Sequence, residues 1–221
     1  MRTNDKISRL KTLIGENPEV ILEIGACDFS DTGKFLKTFP SARVYCFEPN
    51  PDMQAVFENK IGLQEKRCRF FNCAVGDSDG VTVLRSAYFR TGSGVKPWPY
   101  ANSIVPGVES EQYPGLFFEG EKTVPVVRLD TWIKREGVTH VDFLWTDVQG
   151  SERKLIEGAS ETLRITRYVQ LEFGEVGPYP GDALGREETI ALMREHGFLP
   201  ESDYSDGGKH RGDLLFRNPR W

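Results

Sequence analysis

The chain has 221 residues, of which 38% are hydrophobic and 28% charged, with a formal net charge of −5. That length supports one domain with a sizeable core and leaves two full domains tight. The negative charge argues against non-specific nucleic-acid binding, which needs a basic face; no apolar run approaches a membrane span, and Met1 to Asp5 lacks the apolar core of a signal peptide.

Residues 4 to 14 predict an amphipathic helix, since Ile7, Leu10, Leu13 and Ile14 share a face and Gly15 ends it. Its expected place is the edge of a sheet. Val20-Ile21-Leu22-Glu23-Ile24 then reads as a buried strand, closed by Gly25 and the polar turn Ala26 to Asp31. Phe35, Leu36 and Phe39 set the spacing of a helix from about Asp31 to Phe39. A strand, a tight turn and a helix N-terminus suit the polar part of a nucleotide-like cofactor. Gly25 lets the backbone approach a ligand where a Cβ would collide.

Arg43 to Glu48 is the second predicted strand, ending in Glu48-Pro49-Asn50-Pro51. Asn50 is placed to cap the next helix and Pro51 to sit in its first turn. Met53, Val56, Phe57 and Ile61 form that helix's apolar stripe. An acidic residue at the end of a second strand, roughly 20 residues after the glycine turn, is where a ribose diol is held. Glu48 fills that position. Arg69 to Val75 reads as a third strand, with Asn72 to Val75 beside the base of a bound nucleoside. The β-α-β-α-β order implies a parallel, doubly wound sheet.

Val81 to Arg85 is a short strand after the turn Gly76 to Gly80. Ser86 to Glu121 breaks the alternation and is rich in Gly, Pro and aromatics. It is expected to be an irregular flap over the cofactor that shapes the substrate pocket, or else an excursion packing its own aromatic cluster. Lys122 to Arg128 reads as an edge strand, because Pro125 cannot donate to a ladder. Asp130 is expected to cap the helix beginning there. Val141 to Asp147 is a strong strand continuing into Val148-Gln149-Gly150. Ser151 caps a helix carrying Leu155, Ile156, Ala159 and Leu163. Tyr168 to Phe173 is the next strand, with Glu172 near its end. The loop Gly174 to Gly185, a helix ended by Gly197 and two strands near Phe198-Leu199 and Asp213 to Phe216 complete the chain, with a hairpin loop between those strands at Glu201 to Gly212.

Cys27, Cys46, Cys68 and Cys73 form no CxxC pair and have no histidine near them in sequence. They read as buried thiols rather than zinc ligands or disulfides, and the cytoplasm is the expected compartment. A dinucleotide site would want GxGxxG from Gly25, yet Cys27 and Ser30 hold its second and third glycine positions. That argues against NAD and FAD. Glu23, two residues before Gly25, suits a cofactor with a positive amino group. S-adenosylmethionine (SAM) has that group, an adenosine and no phosphate.

The ordered segments Leu22-Glu23-Ile24-Gly25-Ala26, Phe47-Glu48-Pro49-Asn50-Pro51, Ala74-Val75-Gly76-Asp77, Val127-Arg128-Leu129-Asp130-Thr131, Asp142 to Gly150 with Glu152, and Asp213-Leu214-Leu215-Phe216 carry a resemblance. The chain resembles the FkbM-type family of SAM-dependent methyltransferases. The resemblance implies a class I methyltransferase fold: α/β, doubly wound, with a mainly parallel seven-stranded sheet and an antiparallel last strand. With the length and patterning above, the expectation is one domain over 1–221, with an N-terminal helix at 1–15 and the aromatic-rich flap at 86–121 as an insertion. It also implies methyl transfer, usually to a hydroxyl oxygen of a sugar or natural product. The expected cofactor residues are Glu23, Gly25, Ala26, Asp28, Glu48, Pro49, Asn50, Asn72, Ala74 and Val75. The chain departs from the family at the first turn, commonly Asn-x-Gly, where Asp28 is expected to take over polar contacts. Gln149 sits where an acidic residue is common.

An alcohol acceptor must lose its proton, so a base within hydrogen-bond reach is needed. Asp147 and Glu172, at the ends of adjacent strands on the ligand face, are the first candidates, and His210 is the third. His140 and His196 read as structural. Asp147 and Glu172 have metal-ligand chemistry, but no third ligand has clear spacing, so no metal is expected. The expected partner is a small-molecule or glycan acceptor, with no nucleic acid and no membrane. A nucleotide-cofactor oxidoreductase and a non-catalytic SAM-fold protein stay open as other readings.

Overall fold

The computed structural model describes residues 3–15, 17–109, 111, 113–174, 178–180, 183–203 and 211–221. The first elements are α1 (Thr3–Ile14), β1 (Val20–Ile24), α2 (Ser30–Thr38), β2 (Arg43–Phe47), α3 (Met53–Lys60) and β3 (Cys68–Phe71). Next come β4 (Ala74–Val75), β5 (Gly80–Thr91), β6 (Gly94–Pro97), a 3-10 turn at Pro99–Ala101, and β7 (Leu116–Val127). The chain then forms α4 (Leu129–Glu136), β8 (Val141–Thr146), α5 (Glu152–Glu157), α6 (Ser160–Arg164) and β9 (Thr166–Gly174). It ends with α7 (Arg186–Glu195), β10 (Leu199–Asp203) and β11 (Arg211–Arg217).

Among the described residues, seven strands form one sheet in the order β10-β11-β9-β8-β1-β2-β3. β1 lies parallel between β2 and β8, and β9 is parallel to β8. β11 runs antiparallel to β9. Every residue of β1 is buried, as expected for a strand with helices on both faces. Successive side chains alternate between those faces. Leu22 joins Phe47, Trp132, Leu144 and Leu155 on one side. Ile21 joins Ile7, Leu10, Phe35, Val44 and Phe143 on the other. The N-terminal helix therefore packs on a sheet face, not on the edge expected from its sequence. Its apolar stripe is completed by α2 and by residues of β1, β2 and β8.

The expected third strand divides. β3 pairs with β2, whereas Ala74 and Val75 leave that sheet to pair with Val126 and Val127 of β7. The segment Ser86 to Glu121 is less irregular than expected, although its aromatics do line a cavity. Its two ends extend the long strands β5 and β7, paired antiparallel from Gly80↔Val126 to Phe89↔Leu116. With β4 and β6 they form a second sheet ordered β4-β7-β5-β6. Aromatics suit a pleated surface as well as a loop, so composition did not separate the strand ends from the irregular middle. Pro125 is tolerated because β4 covers β7 only at Val126 and Val127, so β7 is an inner strand for those two pairs alone.

Capping also differs from expectation. α3 starts at Met53 with Asp52 as its N-cap, and the Asn50 side chain accepts from Asp52 N at 3.2 Å. Asp130 does not cap its own helix. Its Oδ1 accepts from Glu161 N, Thr162 N and Thr162 Oγ1 at 3.0, 2.8 and 2.9 Å, and so anchors the start of α6. The expected helix after Ser151 breaks into α5 and α6 around Gly158, where a Cβ would lie 1.9 Å from the Gly76 carbonyl oxygen. Ser151 takes the N-cap place of α5, but its hydroxyl donates to Val148 O. Among the described residues no helix is long and apolar enough to cross a membrane.

Candidate active site

The C-terminal ends of β1, β2 and β8 converge on a cleft. The amides of Gly25 and Ala26 both donate to Phe47 O at 2.9 Å, and Asp147 N donates to Ile24 O at 2.9 Å. These bonds bring the three strand ends together. Gly25 has φ 85°, and a Cβ on it would lie 1.8 Å from Asp147 O. The glycine is therefore demanded by the backbone crossing itself. Cys27 and Phe29 also have left-handed backbones, with φ 45° and 59°. Burial of the Phe29 ring edge-on to Phe57 and Phe70, at 5.2 and 5.0 Å, holds that strained turn.

Glu48 closes one side of the cleft. Its Oε2 accepts from Cys27 N at 3.0 Å and its Oε1 from Asn50 N at 2.9 Å. Each carboxylate oxygen keeps a further lone pair. Burial pushes this carboxyl up to about 7, against the pull of the two N–H bonds. The rest of the wall is largely apolar: Phe47, Pro49, Ala74, Val75, Leu84 and Ile104. An acceptor carboxylate beside an apolar slot fits a ribose diol next to a purine face.

Of the expected cofactor residues, Gly25, Glu48, Pro49, Ala74 and Val75 line this cleft. Glu23, Ala26, Asp28, Asn50 and Asn72 do not. Glu23 projects to the α1–α2 face, where Thr32 Oγ1 donates to it, and burial raises its pKa strongly. Strand alternation puts it there with Ile21. Asp28 pairs with Lys60 at 2.7 Å and accepts from Ser30, which together hold its carboxyl below the usual range despite partial burial. Asn72 Nδ2 donates to the backbone carbonyls of Glu48 and Asn50 at 2.7 and 3.1 Å, so it shapes the loop that presents Glu48.

A second cavity of about 430 Å³ adjoins the first, and Tyr100, Asp147 and Gln149 line both. Asp147 stands just past β8, with Glu172 on the adjacent strand β9. The Gln149 amide bridges the two carboxyl groups, and each acts on the other's ionisation, which favours one protonated and one ionised member. Loss of solvation and then neighbouring charge raise Glu172; Asp147 is exposed to the cavity, and its carboxyl is also raised, by the surrounding protein and by Asp213. Glu152, behind them, is pushed by burial up to about 7. Phe89, Trp98 and Tyr113 make the opposite wall aromatic. His210 lies outside the described residues. His140 lies 3.6–3.7 Å from Glu19 and Asp142, and His196 O accepts from Arg220, neither at a cavity named above. Among the described residues no group of three or more His, Cys, Asp or Glu is placed to hold a metal.

A model of the methyltransferase FkbM domain matches residues 23–200. The chain belongs to this methyltransferase family. It is 35% identical to the 2-O-methyltransferase NoeI of Sinorhizobium fredii over 97% of this chain and 86% of that protein. It is 28% identical to the 31-O-demethyl-FK506 methyltransferase FkbM of Streptomyces tacrolimicus, over 81% and 72% of the two chains. The fold is also similar to a SAM-dependent methyltransferase from Aquifex aeolicus, with a TM-score of 0.52 at 12% identity over 96% of this chain and 88% of that one. In this FkbM-family chain the cleft also takes Cys27, Asn102, Ser103 and Gln149, which sequence reasoning did not select as cofactor residues. For Asn102 and Ser103 the available signal was the aromatic-rich segment that contains them. Nothing local distinguished their polar side chains from ordinary turn residues.

Proposed function

We propose that this FkbM-family methyltransferase moves the methyl group of SAM onto a hydroxyl oxygen of a small-molecule or glycan acceptor in the cytoplasm. The observation that carries this reading is the meeting of the two cavities at Asp147. One cavity has the diol-type acceptor Glu48 and an apolar slot; the other is an aromatic-walled chamber with carboxylates at its floor. Both relatives bear names that place the methyl on oxygen, which supports the same acceptor atom here.

When bound, SAM supplies an electrophilic methyl group on a positively charged sulfur. Glu48 would hold its ribose hydroxyls, and the Ala74-Val75 wall would flank its base. The chain's own contribution is then orientation, which can be worth about 7–11 kcal/mol, and removal of the hydroxyl proton. Asp147 faces both cavities and is the base for that proton. Glu172 keeps its own proton and stabilises the Asp147 carboxylate by hydrogen bonding.

The test begins with calorimetric titration of the purified chain with SAM, S-adenosylhomocysteine and NAD. Binding of the first two without NAD is expected; NAD binding alone would overturn the reading. Transfer of labelled methyl from SAM to a panel of monosaccharides, methyl glycosides and polyols then follows. No transfer to any hydroxyl, with tight SAM binding, would favour a non-catalytic SAM-fold protein.

A further inference from the structure

Gln149 is where the two sheets, the two cavities and the carboxyl pair meet. It is a non-glycine residue with φ 52°, a strained backbone at the rim of the cleft. Its carbonyl oxygen accepts from Ser103 Oγ at 2.7 Å. Ser103 is in turn bridged to Arg85 of β5 by backbone bonds of 2.8 and 3.2 Å. The Gln149 side-chain Nε2 donates to Asp147 Oδ1 and stands 3.5 Å from Glu172 Oε2. Its Oε1 lies 3.3 Å from the Tyr179 hydroxyl, which donates to Ala101 O at 2.6 Å. One amide thus reaches both carboxyls, but binds Asp147 far more closely.

The surroundings make that amide count. Asp147 and Glu172 feel Asp213 of β11, Asp31 of α2 and Glu152 of α5, and Asp147 also acts on Glu48 at the end of β2. Tyr179 and Arg211 line the same chamber. So many acidic neighbours favour keeping the pair protonated. A neutral N–H donor at 149 opposes this on one side only, because it favours the ionised form of the group it touches most closely.

We propose that Gln149 is a positioning residue for methyl transfer: its amide holds Asp147 as the ionised member of the pair, leaves the shared proton on Glu172, and is itself set in place by Ser103 of the second-sheet region. The role rests on the reading of Asp147 as the base. A carboxylate at position 149 would be one more acceptor against Asp147, without a proton to give.

The test is a carbon-13 NMR titration of the full chain, labelled at Asp and Glu carboxyls, without any acceptor. Asp147→Asn and Glu172→Gln identify the pair's signals. Gln149→Met keeps the side-chain length and removes the donor; Gln149→Glu replaces the donor with an acid. The lower apparent pKa of the pair is expected to rise by about 1–2 pH units in Gln149→Met, or about 10- to 100-fold in ionisation constant. A larger rise is expected in Gln149→Glu. Ser103→Ala should move it the same way by less. A merely structural side chain would leave the titration unmoved, and an unmoved lower step in folded Gln149→Met overturns the proposal. If that variant does not fold, an unmoved step in Gln149→Glu does so. A shifted titration with undiminished turnover in Asp147→Asn instead overturns the base reading on which the proposal rests.

Discussion

Glu48→Gln probes the cofactor cleft through a pair of bonds that an amide cannot reproduce. Both carboxylate oxygens are engaged, one by Cys27 N at 3.0 Å and one by Asn50 N at 2.9 Å. Glutamine offers one oxygen, so one backbone N–H must face an NH2 group. Either the loop after β1 or the loop after β2 loses its anchor, and part of the surface offered to ribose turns from acceptor to donor. A hydrogen bond to a charged group is worth about 1.5–3 kcal/mol net. That predicts a loss of about 10- to 150-fold in affinity, measured by calorimetric titration with S-adenosylhomocysteine. The pH dependence adds a second check. Burial lifts Glu48 from its usual 4.5 to about 7 in the folded chain. A carboxyl raised in this way stabilises the fold most below its unfolded pKa and loses that contribution as pH rises through the folded one. At this site the loss runs from about 4.5 to about 7. The ionised form is the better acceptor for a diol, so affinity should rise between about pH 6 and 8 in the parent chain and stay flat in the variant. A folded Glu48→Gln protein that binds within about threefold of the parent at pH 8 would refute the assignment.

Gly25→Ala should destabilise the chain by more than the usual left-handed penalty of about 1–2 kcal/mol, because the added Cβ meets Asp147 O at 1.8 Å. A melting temperature within about 1 °C of the parent would contradict this. Asp147→Asn should lower single-turnover transfer by roughly 100- to 10,000-fold while leaving SAM affinity nearly unchanged; the opposite pattern would assign Asp147 to cofactor binding. Asp130→Ala strips three donors at the start of α6 of their acceptor, and should cost about 1–3 kcal/mol in urea unfolding, with no change in SAM affinity. An unchanged midpoint would show that water replaces the carboxylate freely.

The strand core was legible because its signals are local. Val20–Ile24, Arg43–Phe47 and Val141–Thr146 are apolar runs bounded by turn residues, and their β-α-β order permits few topologies. The Gly25 turn and the acid at 48 follow from where such strands end. Glu23 was misplaced towards the cofactor because its distance from Gly25 in sequence is short, whereas alternation sends its side chain to the other face of the sheet.

The sequence by itself determined the mainly parallel sheet, the absence of a dinucleotide glycine pattern, and the carboxylates at 48, 147 and 172 on strand ends. Tertiary packing was needed to show that both ends of Ser86 to Glu121 join a second sheet, that Asp130 serves another helix, and that Gln149 links the carboxyl pair to that sheet. The physical reason is the range of the forces involved. Periodicity and turn chemistry act between residues a few positions apart, so a reader of the chain can see them. A hydrogen bond from Ser103 to Gln149, across 46 positions, exists only after both sheets have packed. The ionisation of Asp147 likewise depends on acids drawn from three other elements, α2, β9 and β11, which no local pattern brings together.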